Sequence, residues 1–251
     1  MVFKSRGTIM INIIRSELYK IKHTWLAWAH IVIPIAYSLL FYGAAKTTGL
    51  KNYEESDIVQ TYFVLLGAAM PIIFSFITSK VVDMEISAGN FQVLLSTTKS
   101  RTKAYIGKLI VLEIGFVLSL TLAITIFAIL TGYQNISDWL VEFFLIFINS
   151  ISLYMIHLWV SILLSSGASI GLGFLETMIA LLSMTVIGDS IWYFIPCTWS
   201  SRLPASYIMM SNSFFYKELR LWSFAAFIIT LALFISSIIW FNKWDGKSVS
   251  E

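Results

Sequence analysis

Six stretches of this chain stay apolar for close to twenty residues or more, at about 25–45, 60–80, 105–131, 140–164, 168–187 and 222–242. Roughly 20 such residues carry an α-helix across a bilayer. Composition agrees: 58% of residues are hydrophobic and 12% charged, where about 25% charged is ordinary. The reading is an all-α polytopic membrane protein with six transmembrane helices in one domain, 1–251. The start is basic and then apolar, as in a signal peptide, but Trp25–Ala45 exceeds a cleaved core and reads as a retained first span. Pro34 and Pro71 should kink the first two spans.

Several functional classes are excluded or weakened. A single cysteine, Cys197, cannot form an internal disulfide, and His23, His30 and His157 are too scattered in sequence to suggest a metal site. The chain has no nucleophile elbow, HExxH, Walker A or Rossmann glycine pattern. Small residues from Ser165 to Gly173 suit close helix packing better than phosphate binding. The chain reads as no enzyme, with no cofactor of its own. A net charge of +3, distributed by topology, gives no reason to expect a nucleic-acid partner.

Upstream of the first span, residues 9–24 alternate apolar and basic at helical spacing, with Met10, Ile14, Leu18 and Ile21 on one face. Such a helix belongs on the inner membrane surface. Met10 is also a plausible start, which would make 1–9 a dispensable extension. Twelve of the 17 Lys and Arg residues fall in the N-terminal segment, in 80–108 and in the tail. Only Lys46, Lys51, Arg202, Lys217 and Arg220 fall on the other side. By the positive-inside rule both termini and 80–108 are cytoplasmic.

Two polar segments stand out. The coupling segment 83–104 reads as an amphipathic helix and a basic turn: Met84, Ala88, Phe91 and Leu95 share a helix face, while Glu85, Gly89, Gln92 and Ser96 share another. With the basic cluster Lys99, Arg101, Lys103 and Lys108, it suits docking of a cytoplasmic protein; the alternative is a topogenic loop. On the outer side, 188–221 carries eight aromatics with Pro196 and Pro204, which suggests short helices dipping into the leaflet. Trp192, Trp199 and Tyr207 could contact an amphiphilic substrate there, or the segment could be a lid. Arg202 suits lipid phosphate. Within the apolar runs, Glu113 could pair with Lys108 or an N-terminal lysine. Glu176 is either a cavity-facing anion or a structural hydrogen-bonding group. His157 and His30 read as packing residues.

The run Ser16-Glu17-Leu18-Tyr19-Lys20 before a first span resembles the start of bacterial ABC-2-type permeases. So does Glu85-x-x-x-Gly89-x-Phe91-x-x-Leu94-Leu95, followed by Ser100-Arg101 and Lys108 at the mouth of the third span. Glu-Ile-Ser-Ala-Gly-Asn-Phe-Gln looks like the permease subunits of lantibiotic immunity transporters, the E and G components, with the E type favoured. The resemblance implies an ABC-2 permease fold in the bacterial cytoplasmic membrane. It also implies an ABC ATPase dimer on separate chains, holding ATP and Mg, and a second, usually different, permease subunit. Glu85, Gly89, Asn90, Phe91, Leu94, Leu95 and Arg101 would then form the ATPase-coupling element. The cargo would be a lantibiotic, moved from membrane lipid to the medium, with Glu176, Trp192, Trp199 and Tyr207 as contacts. Another drug, lipid or ion as cargo, or a sensor without transport, are the alternatives.

Overall fold

A computed structural model describes residues 2–89, 91–97, 100–132, 135–208 and 213–246, leaving aside the side chains of 2–9, 97, 208 and 213–218. The described residues form helices and no strands. In order they are α1 (Val2–Lys22), α2 (Trp25–Thr47), α3 (Glu55–Ser87), α4 (Gln92–Thr97) and α5 (Arg101–Thr131), then α6 (Ile136–Leu163), α7 (Ser166–Ser183), α8 (Pro196–Ile208) and α9 (Ser213–Lys243). Among the described residues six helices are long and apolar enough to cross a membrane: α2, α3, α5, α6, α7 and the Leu219–Lys243 part of α9. The chain is an all-α, multi-pass membrane protein.

Local chemistry sets the joints. Thr24 ends α1 by donating to the Ile21 carbonyl at 2.8 Å and opens α2 by accepting from the Leu26 amide at 3.3 Å. Ser100 and Ser165 cap α5 and α7 in the same way, through the Lys103 and Ala168 amides. Gly132 closes α5 in the left-handed conformation, with φ 72°. Because the spans alternate in direction, α1, the ends of α3 and α9 and the start of α5 gather at one end of the bundle. Contacts among Glu17, Glu85, Lys108, Arg101 and Trp244 hold that end together.

The core is built around α3 and α6. At 33 residues α3 is about 50 Å long, against roughly 30 Å of hydrocarbon. Its last turns therefore project from the apolar layer. Gly173 of α7 lies so close to α3 that a methyl there would fall 2.4 Å from Ser75 Oγ and 3.0 Å from the Pro71 carbonyl. The Ile72 amide, beside Pro71, donates across to Thr177 Oγ1 of α7 at 3.3 Å. Gly67 admits α8 so closely that its Cβ would lie 1.8 Å from the Ser200 carbonyl oxygen.

The aromatic segment folds as short helices packed into the bundle. After turns at Val186–Gly188 and Trp192–Phe194, α8 tucks against α3, α6, α7 and α9, with Cys197, Trp199 and Leu203 buried. A non-spanning helix at membrane depth is tolerated when protein covers it. Helix α1 also differs from its expected face. Ile13, Ile14, Glu17 and Ile21 are sheltered, with Ile13 filling the notch at Gly107 of α5, while Leu18 is 40% exposed.

Candidate functional site

Four charged side chains meet at the end of the bundle where α1, α3 and α5 converge. Lys20 Nζ lies 2.7 Å from Glu17 Oε1 and 2.6 Å from Glu85 Oε1. Lys108 Nζ lies 2.7 Å from Glu17 Oε2 and 2.8 Å from Glu85 Oε1. Two ammoniums and two carboxylates thus close a ring of zero net charge. Glu17, Glu85 and Lys108 are all buried; Lys20 keeps partial contact with the surroundings. Burial works against the Lys20 charge, but hydrogen bonds and attraction from Glu17 and Glu85 outweigh it and hold the ammonium above its ordinary range. Such a ring is short-range and directional, and it fails badly if one member is lost. We call it the clasp.

Glu85 stands two residues before α3 ends, and the chain turns at once. Gly89 has φ 112° and Phe91 φ 66°, both left-handed. Glycine takes that conformation freely, whereas a bulky residue does so only when its surroundings compel it. Phe91 is compelled: it is buried, meets the Trp244 ring edge-on at 5.0 Å, and its amide donates to the Glu85 carbonyl at 3.3 Å. Leu94 anchors the short α4 beside it. Ser87, Ala88, Gly89, Gln92, Val93 and Ser96 face outward.

This geometry corrects the amphipathic helix expected over 85–95, which breaks at Gly89. The turn rotates α4 relative to α3, so Glu85, Phe91 and Leu94 point inward, and among the described docking residues only Gly89 is fully outward. Leu95 is half-buried, and Asn90 and Lys99 lie outside the described residues. Arg101 is also engaged, donating to the Trp244 carbonyl at 2.8 Å and the Asn242 carbonyl at 3.0 Å, with Asp245 at 3.3 Å. It latches the end of α9 to the start of α5.

The substrate-contact residues do not converge. Trp192 and Trp199 are 2% and 1% exposed, so neither offers surface to a substrate. Trp199 Nε1 donates to the Tyr193 carbonyl at 3.1 Å, and Trp192 packs under the Arg202 guanidinium at 5.9 Å. These contacts hold the segment together within the bundle. Arg202 itself is 2.5 Å from Asp189 and donates to the Thr185 carbonyl at 3.3 Å. Tyr207 donates to Asp138 at 2.9 Å, tying α8 to the start of α6. Glu113 does not reach Lys108; it accepts from Ser150 at 2.8 Å. Glu176 meets His157 of α6 at 3.0 Å.

The sequence reading missed Glu17, Lys20 and Lys108 as partners of Glu85. The one local signal was Glu17 and Lys20, three residues apart and adjacent on a helix surface.

The family model described as ABC-2 family transporter protein matches residues 13–174. The chain belongs to this family. The matched region begins within α1 and runs into α7, so all four clasp residues and the turn at Gly89 lie inside it. Members are membrane transport components that normally work with an ABC ATPase. Comparison with curated proteins and with solved structures gives no match. In this permease the clasp and the exposed turn beside it form the candidate coupling site.

Proposed function

We propose that the chain is the permease subunit of a bacterial ABC exporter whose ATPase docks on the outward surface of the turn and α4. The clasp end of the bundle is then cytoplasmic, with both chain termini there, as the distribution of Lys and Arg favours. The observation that carries this reading is the position of Glu85, which sits in the clasp two residues before the exposed turn. A push on Gln92 and Val93 displaces Phe91 and the end of α3. Glu85 then drags Lys20 and Lys108, and with them α1 and α5. The clasp is the transmission, and the uncharged turn is the docking surface.

The cargo in this reading is a lantibiotic expelled from the bilayer, giving self-immunity, with a second permease subunit completing the path. The Glu-Ile-Ser-Ala-Gly-Asn-Phe-Gln run supports the cargo class. An apolar cleft between α2, α3 and α5, lined by Ile33, Pro34, Leu66, Met70, Phe116 and Leu120, supports an amphiphile of some kind. Its polar groups are already paired: His30 with Ser119 at 2.8 Å, and the Tyr37 hydroxyl with the Tyr62 carbonyl at 2.6 Å. Reconstitution of the permease with its ATPase in liposomes tests the cargo. Lantibiotic-stimulated ATP hydrolysis is expected. Stimulation by an unrelated amphiphilic drug or a lipid, with none by lantibiotics, overturns the cargo and leaves the coupling reading standing.

A further inference from the structure

Two recesses lie along the seam where α2, α3 and α5 meet. The first, at the end of the bundle away from the clasp, is polar. Tyr42 and Lys46 of α2, Lys51 of the turn at Gly49–Asn52, Glu55 and Ile58 of α3 and Thr131 of α5 line it. The Lys46 ammonium stands over the Tyr42 ring, 5.3 Å from its centroid. Among the described residues, no carboxylate forms an ion pair with Lys46 or Lys51, and no ammonium forms one with Glu55. Charges of both signs thus meet at one recess without cancelling. The second recess is the apolar cleft, lined by the same three helices and opened to the surroundings at Ile33, which is 39% exposed.

The two recesses are spaced like the two parts of a lipid. From Lys46 to Tyr37, from Glu55 to Leu66 and from Thr131 to Ala123, helix rise gives roughly 12–17 Å. One leaflet of hydrocarbon is about 15 Å, half of a core of roughly 30 Å. A headgroup in the polar recess therefore brings its acyl chain to the apolar cleft. Inside the seam the direct way is filled: Phe41, Tyr62 and Phe127 are buried there, with the Tyr62 and Phe127 rings stacked at 3.8 Å. A ligand that bridges the recesses runs along the lipid-facing side of the seam.

We infer that this seam binds one phospholipid with an amino-phosphate headgroup, of the phosphatidylethanolamine class. A phosphodiester alone would satisfy Lys46 and Lys51 and leave Glu55 facing a second anion. An ammonium carried beside the phosphate pairs with Glu55, so every charge in the recess finds a partner. A quaternary ammonium has no N–H to donate to that carboxylate, which disfavours phosphatidylcholine. Tyr42 adds the amphipathic ring that suits headgroup depth. On the orientation proposed above the lipid belongs to the outer leaflet. It is a resident of the seam: neither the ATPase nor a cargo is needed to bind it, although a cargo entering the cleft must displace its chain.

Native mass spectrometry of the purified full-length protein reads the bound lipid directly. Phosphatidylethanolamine, phosphatidylglycerol and phosphatidylcholine of the same acyl chains are offered singly. The first should bind as one molecule, several-fold more tightly than the others. Lys46→Gln combined with Lys51→Gln should weaken it about ten-fold. Glu55→Gln removes only the partner of the ammonium and should bring phosphatidylethanolamine and phosphatidylglycerol to equal affinity. These three side chains are exposed, so the variants should unfold as wild type does. Ala69→Phe fills the cleft and should weaken the long-chain lipid while sparing its dihexanoyl analogue. If that variant fails to fold, wild type decides, because the dihexanoyl lipid should bind it more weakly than the long-chain one. Phosphatidylglycerol bound as tightly as phosphatidylethanolamine by wild type, an affinity indifferent to the lysine pair, or one indifferent to chain length overturns the proposal. So does displacement of the lipid by millimolar inorganic phosphate, since the recess would then be a site for a free anion.

Discussion

Lys108 is 4% exposed and has two carboxylate oxygens within 2.8 Å, so its removal leaves buried anions sharing the one ammonium of Lys20. Breaking a buried ion network from one side costs about 3–5 kcal/mol. Lys108→Met should therefore destabilise the purified chain by that order in denaturant unfolding. Adding Glu17→Gln to it should recover at least about 1 kcal/mol, because the orphaned anion goes as well. Strict additivity of the two would mean that the clasp contacts are not coupled. The pH dependence also has a definite sign. The Lys20 ammonium is held above its ordinary value of 10.5, so its contribution is complete below that value. It is lost only as pH rises through the higher folded value. Stability measured from about pH 7 to pH 9 should show no loss through Lys20, and a fall within that window that Lys20→Met abolishes would contradict the assignment. At this scale the sequence was partly legible. Glu85 stood out, but its partners lie 65 and 23 residues away, and hydrophobic periodicity carries no information about such pairs. Lys108 and Glu113 looked like neighbours, yet five positions along a helix place them on different faces.

Among the elements, the spans were legible because their length and apolarity are fixed by the bilayer. The break between α3 and α4 was not. A helical period continues smoothly through Gly89, and nothing local announces that Phe91 will also turn left-handed; its contact with Trp244 of the distant C-terminal region decides that. Gly89→Ala should cost about 1 kcal/mol or more through backbone strain alone, seen as a lower unfolding midpoint. An unchanged midpoint would mean that the turn relaxes. The burial of α8 was also hidden, since aromatics beside prolines suit an interfacial segment as well as a lid. The close approach at Gly67 gives a sharper test. Wild-type Cys197 should resist maleimide at neutral pH, being 1% exposed and held as a thiol. Gly67→Val cannot accommodate the Ser200 carbonyl and should expose it, raising labelling several-fold. Labelling that is fast in wild type would remove α8 from the core.

For the whole molecule, the clasp, the turn and the Arg101 latch bind α1, α3, α5 and α9 together at one end, and the exposed residues of the turn and α4 lie beside them. Docking and transmission thus fall on different residues, and this separation is the central claim. It is tested by co-purification of the ATPase with two variants, together with cell survival against a lantibiotic and immunoblots of permease level. Val93 is 55% exposed and outside the clasp, whereas Glu85 is buried within it. Val93→Asp should lose the ATPase while the purified permease unfolds as wild type does. Glu85→Gln keeps the shape of the side chain but weakens its grip on both lysines. It should retain the ATPase and lose protection at normal permease levels. An ATPase that stays bound to Val93→Asp, or one that leaves only with Glu85→Gln, would contradict the account.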